Sequence, residues 1–184
     1  MVSKLSASSI DLNHLNIRLL EERDLPALEW EGEYTHFRRL YREIFSNTKL
    51  GKALMWVVES RDEGLIGQVF VQFHSARLEL ANGVDRAYLY SFRIKPHFRN
   101  LGIGSKLLCT VENYLIRRKF RWATLNVARD NPLGIKFYKR NGYKIIAAEK
   151  GYWTYQDDLG QTHEVHEPAW RMQKNLFSDI DWLK

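Results

Sequence analysis

The sequence of 184 residues contains one cysteine and no long hydrophobic run. A single thiol, Cys109, can form neither an internal disulfide nor a cysteine-rich zinc cluster, which excludes a disulfide-stapled secreted scaffold and a zinc finger. The longest apolar stretches, such as residues 53–58, are far shorter than the roughly 20 residues that a membrane-spanning helix needs. We therefore expect a cytoplasmic protein that does not cross a membrane.

The composition is that of an ordinary globular protein. Hydrophobic residues make up 45% of the chain and charged residues 27%, which argues against disordered, collagenous and coiled-coil proteins. No internal repeat or low-complexity linker divides the sequence. We predict a single domain over residues 15–177, preceded by a disordered, serine-rich lead-in at 1–14 and followed by a tail at 178–184.

The net charge of +6 is unevenly distributed along the chain. Residues 93–121 carry eight Lys or Arg side chains and one acidic side chain, which leaves a net charge of +7. Residues 149–167 carry five Asp or Glu side chains and one Lys. A basic segment of this kind is typical of a solvated face, of a site for an anionic ligand, or of a nucleic-acid-binding surface.

Hydrophobic periodicity and turn residues predict a mixed sheet with helices on its faces. Strands are predicted at residues 15–19, 54–59, 65–73, 87–94, 122–127, 143–147, 152–155 and 164–173. Helices are predicted as a short element around Asp24 and Pro26, then at residues 34–45 and 103–119, and from the Asn131-Pro132 cap to Asn141-Gly142.

Residues 92–106 lead from a strand through a glycine-containing loop into a helix start, an arrangement suited to an anion. Glycines let backbone N–H groups approach a ligand, and a helix N-terminus adds unpaired donors and a positive dipole. Arg99 and Lys106 add full charges, so phosphate is the expected ligand. Neither standard phosphate motif fits, because serine instead of lysine follows Gly104 and Leu107 replaces the third glycine of a dinucleotide fingerprint.

The loop resembles that of the GNAT superfamily of acyl-CoA-dependent N-acyltransferases, in which it reads Arg/Gln-x-x-Gly-x-Gly/Ala. The preceding strand, a helix further along the chain and the order of the elements are also similar to this family. The matching stretches are Phe92-x-Ile94-x-Pro96, Arg99-Asn100-Leu101-Gly102-Ile103-Gly104 and Asn131-Pro132-x-x-x-x-Phe137-Tyr138-x-x-x-Gly142-Tyr143. The resemblance covers residues 15–173 and implies the acyl-CoA N-acyltransferase fold, an α/β fold with a mixed, mostly antiparallel twisted sheet flanked by helices.

The resemblance implies acetyl-CoA as cosubstrate, an amine as acceptor and no metal. Backbone groups of Phe92, Arg93 and Ile94 would pair with the pantetheine arm like an added strand, and Asn131 would hydrogen-bond the arm from the other side. The Ile94 N–H would stabilise the oxyanion as a deprotonated amine attacks the thioester directly. The pyrophosphate would be held by backbone N–H groups of Arg99, Asn100, Leu101, Gly102, Ile103, Gly104 and Ser105.

Tyr138 is the predicted catalytic residue, because in similar proteins a tyrosine at this position protonates the departing thiolate. Asn131 and Tyr138 are seven residues apart, nearly two helical turns, so both side chains are expected on one face of the helix. The alternative is a packed ring with its hydroxyl at the surface. Cys109, opposite the apolar face of its helix, is expected to be a packing residue or a bystander.

The general base is not identified from the sequence. Similar proteins that acetylate protein N-termini often carry Glu where this chain has Asn126, and asparagine cannot accept a proton. A chain of water molecules or another residue must therefore accept the proton of the amine, or the amine must already be neutral when it binds. The candidate residues are Tyr88, Tyr90, Glu79, His163, Glu164 and His166. Zinc is not expected, since a three-residue spacing would place His163 and His166 on opposite faces of a strand.

In similar proteins the two early helices and the final hairpin form the walls of the acceptor cleft. Here these segments are rich in aromatic residues, which would suit an amine with an apolar body, although core packing explains most of them equally well. The aromatic candidates are Tyr34, Phe37, Tyr41, Tyr152, Trp153, Tyr155 and Trp170. The acidic residues expected to attract the amine are Asp157, Asp158, Glu164 and Glu167.

The predicted function is transfer of an acetyl group from acetyl-CoA to a primary amine of a small molecule or peptide. Two alternatives stay open. One is a catalytically degenerate acyl-CoA-binding sensor, which the absence of Glu at Asn126 favours. The other, less favoured, is a nucleic-acid-binding module that uses the basic helix at residues 106–121. A homodimer is left open.

Overall fold

The computed structural model describes residues 15–178. The predicted lead-in at 1–14 and the predicted tail from residue 179 onward lie outside the described residues, so the domain boundaries stay predictions. The strands are β1 (Leu15–Leu19), β2 (Ala53–Ser60), β3 (Gly64–Gln72), β4 (Arg86–Ile94), β5 (Trp122–Ala128), β6 (Lys144–Glu149), β7 (Tyr152–Gln156), β8 (Thr162–His166) and β9 (Ala169–Asn175). The helices are α1 (Arg38–Lys49), α2 (Ile103–Arg117) and α3 (Pro132–Arg140), with 3-10 turns at Glu22–Glu29, Thr35–Phe37 and Pro96–Phe98.

Seven strands form one sheet in the order β1-β2-β3-β4-β5-β9-β6, and β7 and β8 form a separate hairpin. Neighbours in the large sheet are antiparallel except β4 and β5, which are parallel. A parallel pair needs a long crossover connection, and α2 supplies it between these two strands. The predicted mixed, mostly antiparallel sheet flanked by helices is confirmed.

Helices cover both faces of the sheet because the central strands are apolar on both sides. Along β2, Trp56 and Val58 belong to the core beneath α2, whereas Met55 and Val57 belong to the core beneath α1. This alternation follows from the two-residue period of a strand. The helical residues of the two cores include Leu107, Leu108, Val111 and Leu115 of α2, and Tyr41 and Ile44 of α1. Within residues 15–178, no helix has the length and apolar character needed to cross a membrane.

The predicted strand at residues 164–173 is wrong as a single element, because the chain is divided at Pro168. Proline has no N–H to donate to a strand partner, and the Glu167 N–H donates to the Gly151 carbonyl at 2.9 Å, closing the base of the β7–β8 hairpin. β9 then enters the large sheet between β5 and β6. The helix predicted at 34–45 also begins later, since Thr35–Phe37 forms a 3-10 turn before α1.

Candidate active site

A cleft opens in the middle of the sheet where the parallel strands β4 and β5 separate. They pair only as far as Leu89 and Leu125, although β4 continues to Ile94 and β5 to Ala128. Beyond that point, the strand pairs formed within residues 15–178 join each strand only to its outer neighbour, β3 or β9. The inner edge of β4 over residues 90–94 can therefore hydrogen-bond an extended ligand.

The end of β4 presents one particular N–H group to this cleft. The Lys95 N–H donates to the Ile66 carbonyl of β3 at 2.8 Å. Successive N–H groups of an extended strand point to opposite edges. The N–H of Ile94, one residue earlier, therefore points away from β3 and into the cleft.

A bulge at Ser91 separates the side chains on the two faces of β4. Ser91 has a left-handed φ of 51°, and the register with β3 shifts between Gln68 and Phe70. Such a bulge increases the local twist and redirects side chains. Beyond it, Phe92 packs in the core beneath α2, whereas Arg93 reaches Tyr41 on the α1 side.

The glycine loop lies between β4 and the N-terminus of α2. Asn100 and Gly102 adopt left-handed φ values of 63° and 81°, which turn the chain into the helix. The N–H of Lys106 donates to the Gly102 carbonyl at 3.0 Å. Within the described part of the chain, the N–H groups of residues 100–105 make no backbone hydrogen bond outside the helix, so they are available to a phosphate at the positive end of α2.

Two contacts fix this loop against the cleft. The Arg99 Nε donates to the Ile94 carbonyl at 2.9 Å, which ties the loop to the end of β4. A Cβ atom at Gly104 would lie 3.4 Å from the Phe137 ring and 3.7 Å from the Phe92 ring. The first turn of α2 therefore packs closely against both α3 and β4, with room at Gly104 for a methyl group but not for a large side chain.

Tyr138 lies on α3 beside the end of β4. Its half-buried ring packs edge-on against Phe92, with 6.2 Å between ring centres, and against Tyr143 at 5.7 Å. Burial raises the pKa of Tyr138 well above its ordinary value, and the nearby Tyr88 acts in the same direction. The phenol therefore stays protonated at neutral pH. Its hydroxyl makes no hydrogen bond to another residue of the described chain.

Asn131 caps α3, as its position before Pro132 predicted. Its Oδ1 accepts a hydrogen bond from the Gly134 N–H at 2.8 Å. Only the Nδ2 group of this side chain is left to donate to a ligand. The predicted contact with the pantetheine arm therefore depends on Nδ2.

A cavity of about 750 Å³ lies on the α1 side of the cleft. None of the loop residues 99–105 lines this cavity, so the cavity is separate from the glycine loop. Four predicted aromatic residues line it, namely Phe37, Tyr41, Tyr152 and Trp153. Tyr34 and Tyr155 pack against Phe37 instead, and Trp170 lies beneath the Arg129 guanidinium at 4.4 Å.

The predicted acidic residues are mostly placed elsewhere. Glu167 lines the cavity, whereas Asp158 and Glu164 are exposed residues of the hairpin. Asp157 is buried in the hairpin turn, where its Oδ2 lies 2.7 Å from the His163 Nε2. This contact, together with backbone N–H donors, lowers the pKa of Asp157. Of the four residues expected to attract the amine, only Glu167 lines the cavity, and the attraction itself stays a prediction.

Glu149 is a cavity residue that the sequence analysis did not select. Both of its carboxylate oxygens accept hydrogen bonds from the Arg77 Nη2 at 2.8 Å, and the Arg171 Nη1 lies 3.3 Å away. Because Arg77 and Glu149 are far apart in the chain, no local pattern indicates their pairing. The charge of Glu149 is neutralised within the protein.

The candidate general bases differ in their surroundings. Only Tyr88 and Tyr90 line the cavity. Burial raises the pKa of Tyr88 to about 12, and burial also raises that of Tyr90, so neither phenol is a base at neutral pH. Glu79 is bound by Arg77 and lies outside the lining. Asn126 does line the cavity, and its Oδ1 is buried without a hydrogen-bond partner among the described residues.

The two candidate histidines, His163 and His166, do not line the cavity and contact residues of the β7–β8 hairpin. His163 contacts Asp157, and His166 stacks on Tyr152 with 4.2 Å between ring centres. Among residues 15–178, no group of three or more His, Cys, Asp or Glu side chains is arranged to hold a metal ion. Cys109 is exposed on α2.

Comparison with known proteins identifies the family. Residues 17–143 match the family model for the acetyltransferase (GNAT) family. A spermidine N(1)-acetyltransferase of Thermoplasma acidophilum is 26% identical over 144 residues, covering 74% of this chain and 89% of that protein. N-alpha-acetyltransferase 50 of Danio rerio is 28% identical over 120 residues, covering 63% of this chain and 71% of that protein.

Solved structures share the fold at low sequence identity. The spermidine/spermine N-acetyltransferase SpeG of Vibrio cholerae, in complex with manganese ions, has a TM-score of 0.69 and 18% identity, covering 94% of this chain and 98% of that one. The ribosomal-protein-S18-alanine N-acetyltransferase of Escherichia coli has a TM-score of 0.64 and 20% identity, covering 88% and 94%. The chain belongs to the GNAT acetyltransferase family. It is an N-acetyltransferase of a family that uses acetyl-CoA as cosubstrate, which confirms the resemblance seen in the sequence.

Proposed function

We propose that the protein transfers the acetyl group of acetyl-CoA to the primary amine of a small molecule or peptide, by direct attack of the amine on the thioester. The observation that carries this proposal is the cleft between β4 and β5, which has the glycine loop on one side and the aromatic cavity on the other. The two substrates can therefore approach from different sides and meet at the end of β4.

The acetyl-CoA site is formed by chain segments that have free hydrogen-bonding groups. Backbone groups of Phe92 and Ile94 would pair with the pantetheine arm along the inner edge of β4, whereas those of Arg93 point to Gln68 of β3 by the same alternation. The Nδ2 of Asn131 donates to the arm from α3. The N–H groups of residues 100–105 hold the pyrophosphate, whereas the Arg99 N–H donates to the Pro96 carbonyl at 3.2 Å. The first turn of α2 packs against Phe137 and Phe92 at Gly104, which keeps these N–H groups near the cleft.

The reacting groups follow from their positions at the end of β4. The Ile94 N–H stabilises charge on the carbonyl oxygen while the amine nitrogen bonds to the acetyl carbon. Tyr138 gives its proton to the sulfur as the carbon–sulfur bond breaks, and the proton lost by the amine returns the phenol to its neutral form through solvent. The raised pKa of Tyr138 keeps the donor protonated before each turnover.

Asn126 holds the amine but does not deprotonate it. Its unpartnered Oδ1 accepts a hydrogen bond from an amine N–H in the cavity. With both lining tyrosines protonated, the amine binds in its neutral form or loses its proton to water. Binding of acyl-CoA without transfer is the second candidate function, and the absence of a carboxylate at Asn126 favours it.

The acceptor is proposed from the names of the relatives. The relatives in the comparisons are named as a spermidine N(1)-acetyltransferase and an N-alpha-acetyltransferase, which supports a primary amine in general. A cytoplasmic location and a homodimer stay predictions.

The deciding measurement is the thermal midpoint with and without acetyl-CoA, for wild type and Gly104→Trp. At about 100 times Kd, a ligand specific for the native state adds roughly 2.7 kcal/mol, or some 5 to 10 °C for a domain of this size. We expect this shift in wild type and its loss in Gly104→Trp, because the indole would occupy the contact with Phe137. Asn113→Trp, on the exposed side of α2, is the matched control and keeps the shift.

Release of free CoA thiol in the presence of amines then separates the two candidate functions. Turnover with any primary amine supports the transferase. A thermal shift without turnover of any amine supports the acyl-CoA-binding protein. No shift in wild type contradicts both.

A further inference from the structure

Arg93 projects from β4 into the acceptor cavity and is held there by several groups. Its Nη1 donates to the Tyr41 hydroxyl and to the Ser91 hydroxyl, each at 3.0 Å. Its Cζ lies 4.1 Å from the centre of the Tyr34 ring and 5.5 Å from that of Phe37. Tyr41 is 2% exposed, so the guanidinium is fixed on a buried support. Arg93 is therefore a positioned group and not a mobile surface cation.

This guanidinium has only neutral partners. None of the ion pairs formed within residues 15–178 includes Arg93, and Nε and Nη2 make no hydrogen bond to the described chain. Burial raises the pKa of Tyr41, against a smaller opposite effect of Arg93, so this hydroxyl remains neutral. A half-buried charge loses hydration, and an anionic partner is what normally compensates it. The free Nε and Nη2 form the fork that binds a carboxylate with two parallel hydrogen bonds.

The other charges of the cavity do not supply that anion. Glu149 is already bound by Arg77. Glu167 is exposed at the hairpin base, and no ion pair between described residues joins it to Arg93. Three cationic and two anionic side chains line the cavity, which leaves a net charge of +1. A polycation such as a polyamine would meet an unfavourable potential here, whereas a carboxylate would be attracted.

We propose that the acceptor amine also carries a carboxylate, and that Arg93 binds it; the natural class is a free amino acid with an apolar side chain. This inference rests on the proposed acetyl transfer and names its substrate class. Arg93 precedes Ile94, whose N–H marks the reacting centre. An acceptor whose amine and carboxylate are separated by a few bonds can therefore place the carboxylate at the Arg93 guanidinium and the amine at the end of β4. The apolar side chain fills the aromatic part of the cavity, and the exposed Glu167 attracts the ammonium group of the incoming zwitterion.

The test compares acceptors that differ only in the carboxylate. Phenylalanine, tryptophan, leucine and methionine are each assayed as the free acid and as the primary amide, with spermidine as a polycation, by release of CoA thiol. The enzymes are wild type, Arg93→Gln, and Arg117→Gln as a control that removes an equal charge from the exposed end of α2. The acetyl-CoA thermal shift of each variant shows that it is folded and binds the cosubstrate.

We expect Arg93→Gln to lower kcat/KM for the preferred free acid by about 10- to 100-fold and to leave its amide nearly unchanged. The amine of a free amino acid and the amine of its amide have different pKa values. This difference cancels because wild type and variant are compared with the same acceptor. Arg117→Gln behaves as wild type. An acid-to-amide ratio that is the same in wild type and Arg93→Gln would overturn the inference, and so would a preference for spermidine over every free acid. In both cases the proposed acetyl transfer is unaffected. Absence of turnover with every amine tested would contradict the proposed acetyl transfer as well.

Discussion

Replacing Tyr138 by phenylalanine isolates the proposed proton donor from its packing role. The ring contacts with Phe92, Phe137 and Tyr143 are kept, and the missing hydroxyl leaves no described residue without a partner. The loss of unfolding free energy is therefore expected to be below about 1 kcal/mol, which is the net contribution of one hydrogen bond to stability. For a chain of this length, that corresponds to less than about 4 °C in Tm.

The effect on turnover is expected to be much larger. Loss of a positioned general acid costs about 10²- to 10⁴-fold in rate, because the thiolate must then leave unprotonated or take its proton from water. Stopped-flow detection of the released CoA thiol measures kcat, and the acetyl-CoA thermal shift measures cosubstrate binding. We expect kcat of Tyr138→Phe to fall at least 100-fold while the shift stays within error of wild type.

The pH dependence provides the control for this interpretation. Because the pKa of Tyr138 is raised above 10, the donor remains protonated throughout the neutral and mildly alkaline range. We therefore expect kcat of wild type to rise to a plateau as the amine loses its proton, without a decline before pH 9.5. A Tyr138→Phe enzyme with kcat within threefold of wild type would refute the assignment and leave Tyr138 as a packing residue.

Three further substitutions test separate parts of the site and fold. Asn131→Ala removes the cap of α3 and should cost about 1 kcal/mol in urea unfolding, whereas Asn131→Ser should retain most of it. Asn126→Ala should raise KM for the amine about tenfold without changing the acetyl-CoA shift, because the amine loses its hydrogen bond to Oδ1 and the acetyl-CoA site is left intact. Asp24, whose pKa is lowered chiefly by hydrogen bonds from Arg18, stabilises the fold above its ordinary pKa of 3.8. The urea midpoint of Asp24→Asn should therefore be lower than that of wild type at pH 7, and the difference should shrink as acid protonates Asp24 in wild type.

The parts of the site that the sequence predicts are those encoded within a few neighbouring residues. The glycine loop depends on Asn100 and Gly102 turning the chain and on the free N–H groups that any helix start offers. The cap of α3 depends on Asn131 followed by Pro132. Such features follow from local backbone chemistry, so no knowledge of the remaining chain is needed to predict them.

The acceptor side could not be predicted in this way, because it is assembled by distant pairings. Glu149 is neutralised by Arg77 across the sheet, and Arg93 meets Tyr41 of α1. The chain is divided at Pro168, and β9 then enters the sheet between β5 and β6, strands that are distant from each other in the sequence. Charge alone predicts that the acidic hairpin residues attract the amine, but Asp157 accepts hydrogen bonds within its own turn.

The distribution of positive charge also argues against a nucleic-acid-binding surface. Arg93 is inside the cavity, Lys95 pairs with Glu31 at 2.8 Å, and Arg99 bonds the end of β4. Lys106 lies in the first turn of α2, and the four basic residues of 117–121 lie at the other end of this helix, about 22 Å away for a helix of 15 residues. A backbone-binding surface needs cations on one face, so we expect no saturable binding of duplex DNA or RNA in fluorescence anisotropy at about 150 mM salt, up to about 10⁻⁴ M protein. Micromolar binding with a steep salt dependence would contradict this expectation and show that the two clusters act together.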